Sequence, residues 1–153
     1  MSARGRFVVA WLLVLVVAGC VWWGIHPPRD ASAYREESTR TVQLLRSHVG
    51  TARLWIEGVD EGRLTRTAAS VALIEASTDA DAEASSYSSL DPGDGASTRV
   101  WSRVSSLADE VAAVLAEVRV AARAGRWDDV VAALPELERL SAGLADLQRS
   151  VGS

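Results

Sequence analysis

Residues 100–121 read VWSRVSSLADEVAAVLAEVRVA, and this stretch decides the fold. Val100, Val104, Leu107, Val111, Val114, Val118 and Ala121 recur at intervals of 4, 3, 4, 3, 4 and 3. An α-helix turns once in about 3.6 residues, so these side chains fall on one stripe, whereas a strand would scatter them over both faces. The spacing predicts a helix from about Thr98 to Ala124, with Gly125 closing it.

The same period appears on both sides of this stretch. Val42, Leu45, Val49, Ala52, Ile56 and Val59 make a second seam, which Asp30 or Ser32 can cap and which Gly58 and Gly62 bracket at its end. A shorter helix is expected from about Thr65 to Ala84, with Leu64, Ala68, Val71, Ala72 and Ile74 as its apolar face. The last helix opens at Asp128 and Asp129 and continues through Leu137, Leu140, Leu144, Leu147 and Val151. Pro135 lacks an N–H and clashes with the carbonyl four residues back, so a kink or a restart is expected there. Residues 85–97, SSYSSLDPGDGAS, read as a loop from their Ser, Gly and Asp content. No period-2 strand appears. The expected fold class is all-α: an antiparallel four-helix bundle over residues 32–151, preceded by an N-terminal transmembrane helix.

That transmembrane expectation rests on residues 7–25, FVVAWLLVLVVAGCVWWGI, which carry no charge. At about 1.5 Å per residue they cover roughly 28 Å, close to the hydrocarbon thickness of a bilayer. Arg4 and Arg6 precede the run, so the positive-inside rule leaves residues 1–6 in the cytoplasm and the bundle outside. Residues 26–31, opening on His26-Pro27-Pro28, form the linker. Two other readings stay open. Val17-Ala18-Gly19-Cys20 has the form of a lipobox in which Cys20 would be acylated, and a cleaved secretory signal is the third. All three place the main domain outside the cytoplasm.

The chain has 153 residues, 48% hydrophobic and 24% charged, with a net charge of −4. All 16 basic residues are Arg, and 14 of them face all 20 acids beyond residue 25. Nucleic acid demands a clustered basic face, so it is not an expected partner. The single Cys lies in the apolar run, so the outer domain has no disulfide and must be held by packing.

Candidate sites are few. No GxSxG, HExxH, P-loop or GxGxxG pattern is present, no cofactor is implied, and His48 is read as a surface or seam-edge residue, so no catalysis is expected. Asp79, Asp81, Glu83, Asp91 and Asp94 cluster along the chain but lack the alternation of a calcium loop, and their charge argues against lipid headgroups at that end. Arg119, Arg123 and Arg126 form a stripe that could hold an anionic polymer or an acidic partner, although a helix C-terminus favours cations without any ligand. Trp55, Trp101 and Trp127 are either buried bundle-edge residues or anchors for a partner.

Thr51-Ala52-Arg53-Leu54, Gly62-Arg63-Leu64, the Asp91-Pro92 loop and residues 119–125 (RVAARAG) resemble an uncharacterised group of actinobacterial single-pass membrane proteins with a small helical outer domain. The resemblance implies location and fold, and no functional residues. The expected function is a membrane-anchored interaction module working by contact with an envelope protein or by self-association. A ligand-binding sensory or accessory domain for an envelope enzyme or transporter is the alternative.

Overall fold

A computed structural model of the chain describes residues 31–93 and 95–151. They form α1 (Ala31–Asp60), α2 (Arg66–Ser88), α3 (Gly95–Arg123), α4 (Trp127–Ala132) and α5 (Leu134–Val151). The described residues contain helices and no strand. No helix among them is long and apolar enough to cross a membrane. The apolar run 7–25, with Cys20, and the cap expected at Asp30 lie outside the described residues. Ser32 is inside α1 and so is not its cap.

Side-chain pairs fix the directions of the rods. Tyr34 meets Tyr87 and Thr41 meets Glu83, so α1 and α2 run antiparallel. Arg46 donates to Gln148 while Arg53 faces Glu138, so α5 also runs against α1. The result is a bundle whose fourth rod is split into α4 and α5. Its near end gathers the start of α1, the α2–α3 connection and the finish of α5. Its far end holds the turns at Gly62 and Gly125.

Both far-end turns use glycine for the same reason. Gly62 and Gly125 have φ of +70° and +71°, a conformation that costs any residue with a Cβ. After α3, Arg126 N–H donates to Ala121 O at 3.0 Å and Gly125 N–H to Ala122 O at 3.1 Å, closing carbonyls the helix leaves open. After α1, Arg63 N–H donates to Gly58 O at 2.8 Å and Gly62 N–H to Val59 O at 3.0 Å. Gly58 therefore lies inside α1, where a Cβ would run into the side chain of Leu64.

The seams of α1 and α5 are as expected. Val42, Leu45, Val49, Ala52 and Ile56 are fully buried, as are Leu137, Leu140 and Leu144, while Val59 and Leu147 are half-buried. Burying one Leu, Ile or Val side chain is worth about 1.5–3 kcal/mol, so these two rods anchor the core. The α3 seam is broader than expected, because Ala108, Leu115 and Ala122 join Val104, Val111, Val118 and Ala121, leaving Val100, Leu107 and Val114 half-buried.

Two expectations are corrected in α2. Its buried face is Ala69, Leu73, Ala76, Ser77, Ala80, Ala84 and Tyr87, whereas Val71 is 63% exposed and Leu64 and Ala68 are also outside. Apart from Leu73 and Tyr87 that face is made of Ala and Ser, so no bulky stripe marks it in the sequence. The loop 85–97 is shorter than its composition suggested, since α2 reaches Ser88 and α3 begins at Gly95. Ser88 and Ser89 donate their hydroxyls to the carbonyls of Ser85 and Ser86, at 2.9 and 2.7 Å, and Tyr87 is buried. Burial of one aromatic ring offsets the weak helix preference of the serines around it.

The fourth rod restarts as Pro135 predicts. Asp128 and Asp129 occupy the first turn of α4, Ala133 breaks the rod, and Pro135 sits in the opening turn of α5, where its missing N–H costs least.

Candidate functional site

The break before Pro135 has a consequence at the far end. With α4 and α5 set apart at Ala133, a groove of about 660 Å³ opens between them and α3. Its apolar wall includes Val114, Val118, Val120 and Ala121 from α3, with Ala132 and Ala133 opposite. Val120 is 54% exposed, one of the few large apolar side chains left in solvent. It falls between Val118 and Ala121 of the buried seam, so it faces out of phase with the core.

The rim is charged. Arg126 pairs with Asp129 at 2.6 Å, and Glu136 pairs with Arg139 at 2.6 Å while Arg139 also holds Glu110 of α3. The Arg139 hydrogen bond keeps the Glu136 carboxyl below its usual range, and the two acids raise the Arg139 guanidinium further. Glu117 lines the groove and forms no ion pair with a described residue. These surface pairs contribute little to stability but set the charge pattern that a partner would meet.

The expected site residues are distributed as follows. Trp127 is buried at 6% exposure, and Trp55 and Trp101 are half-buried against the core, so the ring faces serve packing. The Trp101 indole Nε1 is buried with no hydrogen-bond partner among the described residues. Arg119, Arg123 and Arg126 do not make one helical stripe, because α3 ends at Arg123 and Arg126 belongs to the turn. Arg126 reaches the groove; Arg119 and Arg123 do not line it. His48 is half-buried in α1. Asp79 and Asp81 are exposed, Glu83 accepts a hydrogen bond from Thr41 at 2.7 Å, and no metal-binding group of side chains occurs among the described residues.

The near end holds a cluster absent from the sequence reading. The Tyr87 hydroxyl lies 3.0 Å from that of Tyr34 and 2.8 Å from Ser38 Oγ, and Ser38 donates to the Tyr34 carbonyl at 2.9 Å. All three residues are buried. Burial, reinforced by the Tyr87 hydroxyl, pushes the Tyr34 phenol far above its ordinary value. The signal was present, since Tyr87 continues the spacing of Ala80 and Ala84, but its Ser-rich surroundings hid it. No protein-family model, curated protein or solved structure matches this chain.

Proposed function

We propose that this chain is a membrane-anchored interaction module that acts outside the cytoplasm by holding a protein of the cell envelope, without catalysing a reaction. The observation that carries this reading is the open apolar groove beside Val120, rimmed by Glu117, which has no ion-pair partner among the described residues. A partner helix or loop presenting apolar side chains and one cation suits that surface, because apolar contact supplies affinity and the charges set register. The uncharged run 7–25 behind Arg4 and Arg6 supports the anchor and its orientation.

A photo-reactive residue at position 120 of the full chain in its own membranes tests the contact. The expected result is one discrete crosslinked protein, absent when the probe sits at Leu54 or Val71, which are exposed elsewhere at 69% and 63%. The same smear from all three positions would remove the groove from the proposal. Protease added to intact cells should reach the bundle, and acyl labelling with and without Cys20→Ala distinguishes a lipid anchor from a transmembrane one.

A second reading is favoured by the groove's position at the Pro135 break, where packing between helices opens. There the domain would bind a small amphiphile or wall fragment and act as a sensory or accessory subunit. Thermal shifts against such a panel separate the two readings: stabilisation that is lost in Val120→Glu favours the ligand.

A further inference from the structure

The near end carries a second cleft, of about 300 Å³, between the start of α3 and the finish of α5. Ala96, Val100, Leu147 and Val151 give it an apolar lining, and Arg99 and Arg103 stand along one side. No acid lines it. The two arginines are one helical turn apart, and neither forms an ion pair with a described residue, which is also true of Arg35, Arg40, Arg46, Arg66, Arg119 and Arg123. Two cations at i and i+4 repel each other, and an anion held between them reverses the sign of that interaction.

We propose that this cleft takes the anionic headgroup of a membrane lipid, with its phosphate against Arg99 and Arg103 and its first methylenes against Val100, Leu147 and Val151. A guanidinium matches phosphate oxygens in a bidentate fork, and the apolar strip beside it accepts what a free anion lacks. Position argues for a bilayer as the source. The near end is where α1 begins, at Ala31, shortly after the uncharged run ends at Ile25. The proposal therefore rests on the membrane-anchored reading. Of the acids counted against lipid binding, Asp79, Asp81 and Glu83 belong to α2 and Asp91 to the connection, and none of these four lines the cleft; Asp94 lies outside the described residues.

Native mass spectrometry of the full chain, released from a neutral detergent, tests the cleft with phosphatidylglycerol and phosphatidylcholine as probes. One phosphatidylglycerol should be retained per chain, about tenfold over phosphatidylcholine. The Arg99→Gln/Arg103→Gln double variant should lose that preference with an unchanged far-UV spectrum and melting temperature. Arg119→Gln/Arg123→Gln, which removes the same charge at the far end, should keep it. Equal retention of the two lipids, retention unaffected in the first double variant, or full displacement of the lipid by millimolar inorganic phosphate would each overturn the proposal. Carbonate extraction reads the anchor separately: release of the chain from membranes overturns anchoring, while the lipid preference of the purified chain is judged on its own.

Discussion

At the near end of the bundle, three buried hydroxyls join α1 to α2, and each has a partner placed to within a narrow range of distance. At the far end the rods are joined through glycine turns and backbone hydrogen bonds, and a groove is left open beside Val120. The contrast separates two ways of ending a helical bundle. A buried polar network tolerates few registers, because a hydroxyl left without a partner in the core costs more than the bond contributes. Glycine turns close the helices with no side chain, so the surface around them is free to carry apolar and charged groups that packing does not require. The near end holds register and the far end presents a surface.

Substitutions at Tyr87 test the first half most severely. Tyr87→Ala removes the ring that fills the near end and should destabilise the fold by about 3–5 kcal/mol in denaturant unfolding followed by far-UV dichroism. Tyr87→Phe keeps the ring and strips the bridge between Tyr34 and Ser38, so a loss of about 1–3 kcal/mol is expected. A change under a few tenths of a kcal/mol in Tyr87→Phe would show that the hydroxyls do not hold the register.

Alkaline titration gives an intermediate effect at the same end. In the unfolded chain the Tyr34 phenol loses its proton near pH 10, whereas in the folded chain burial and Tyr87 keep it protonated well above that. The folded state thus binds more protons above pH 10. Stability is flat in this respect below that pH and falls by about 1.4 kcal/mol per pH unit beyond it. Tyr34→Phe should remove this part of the slope between pH 10 and 11; an identical slope in the variant would locate the effect elsewhere.

Gly125→Ala probes the far end and should cost about 1 kcal/mol, because a Cβ is strained at its positive φ even though no neighbour crowds it. The smallest effect belongs to Val120→Ser, which should shift the unfolding free energy by less than about 0.5 kcal/mol. Crosslinking to the proposed partner from a neighbouring groove position should nevertheless fall. A large loss of stability in Val120→Ser would make this residue part of the core and abolish the distinction between the two ends.

Some elements could be read directly and others could not. The heptads of α1 and α5 were legible because large apolar residues marked the buried face, and each buried Leu or Val adds its own contribution whatever its neighbour does. In α2 the expected face was Leu64, Ala68, Val71, Ala72 and Ile74, whereas Ala69, Leu73, Ala76 and Ala80 are the buried ones, because a helix this rich in Ala offers several faces of similar apolar content. Close approach of helices selects among such faces, and that depends on the partner surface. Composition likewise overstated the 85–97 loop, because the burial of Tyr87 depends on Tyr34 and Ser38, about fifty residues earlier. The groove was visible only as an expectation that Pro135 would disturb the last helix, and the Arg126 contribution to it was misassigned to a helical stripe.

By itself the sequence determined the all-helical class, the glycine stops at Gly62 and Gly125, the restart at Pro135 and the uncharged run at 7–25, because each depends on local backbone geometry or on the period of nearby residues. Only the tertiary structure decided which face of α2 is buried, that Tyr34, Ser38 and Tyr87 meet, and that Val120 and the arginines at 99 and 103 border clefts. Those outcomes depend on pairs of residues far apart in the chain, and the energy of such a pair exists only once the helices have docked.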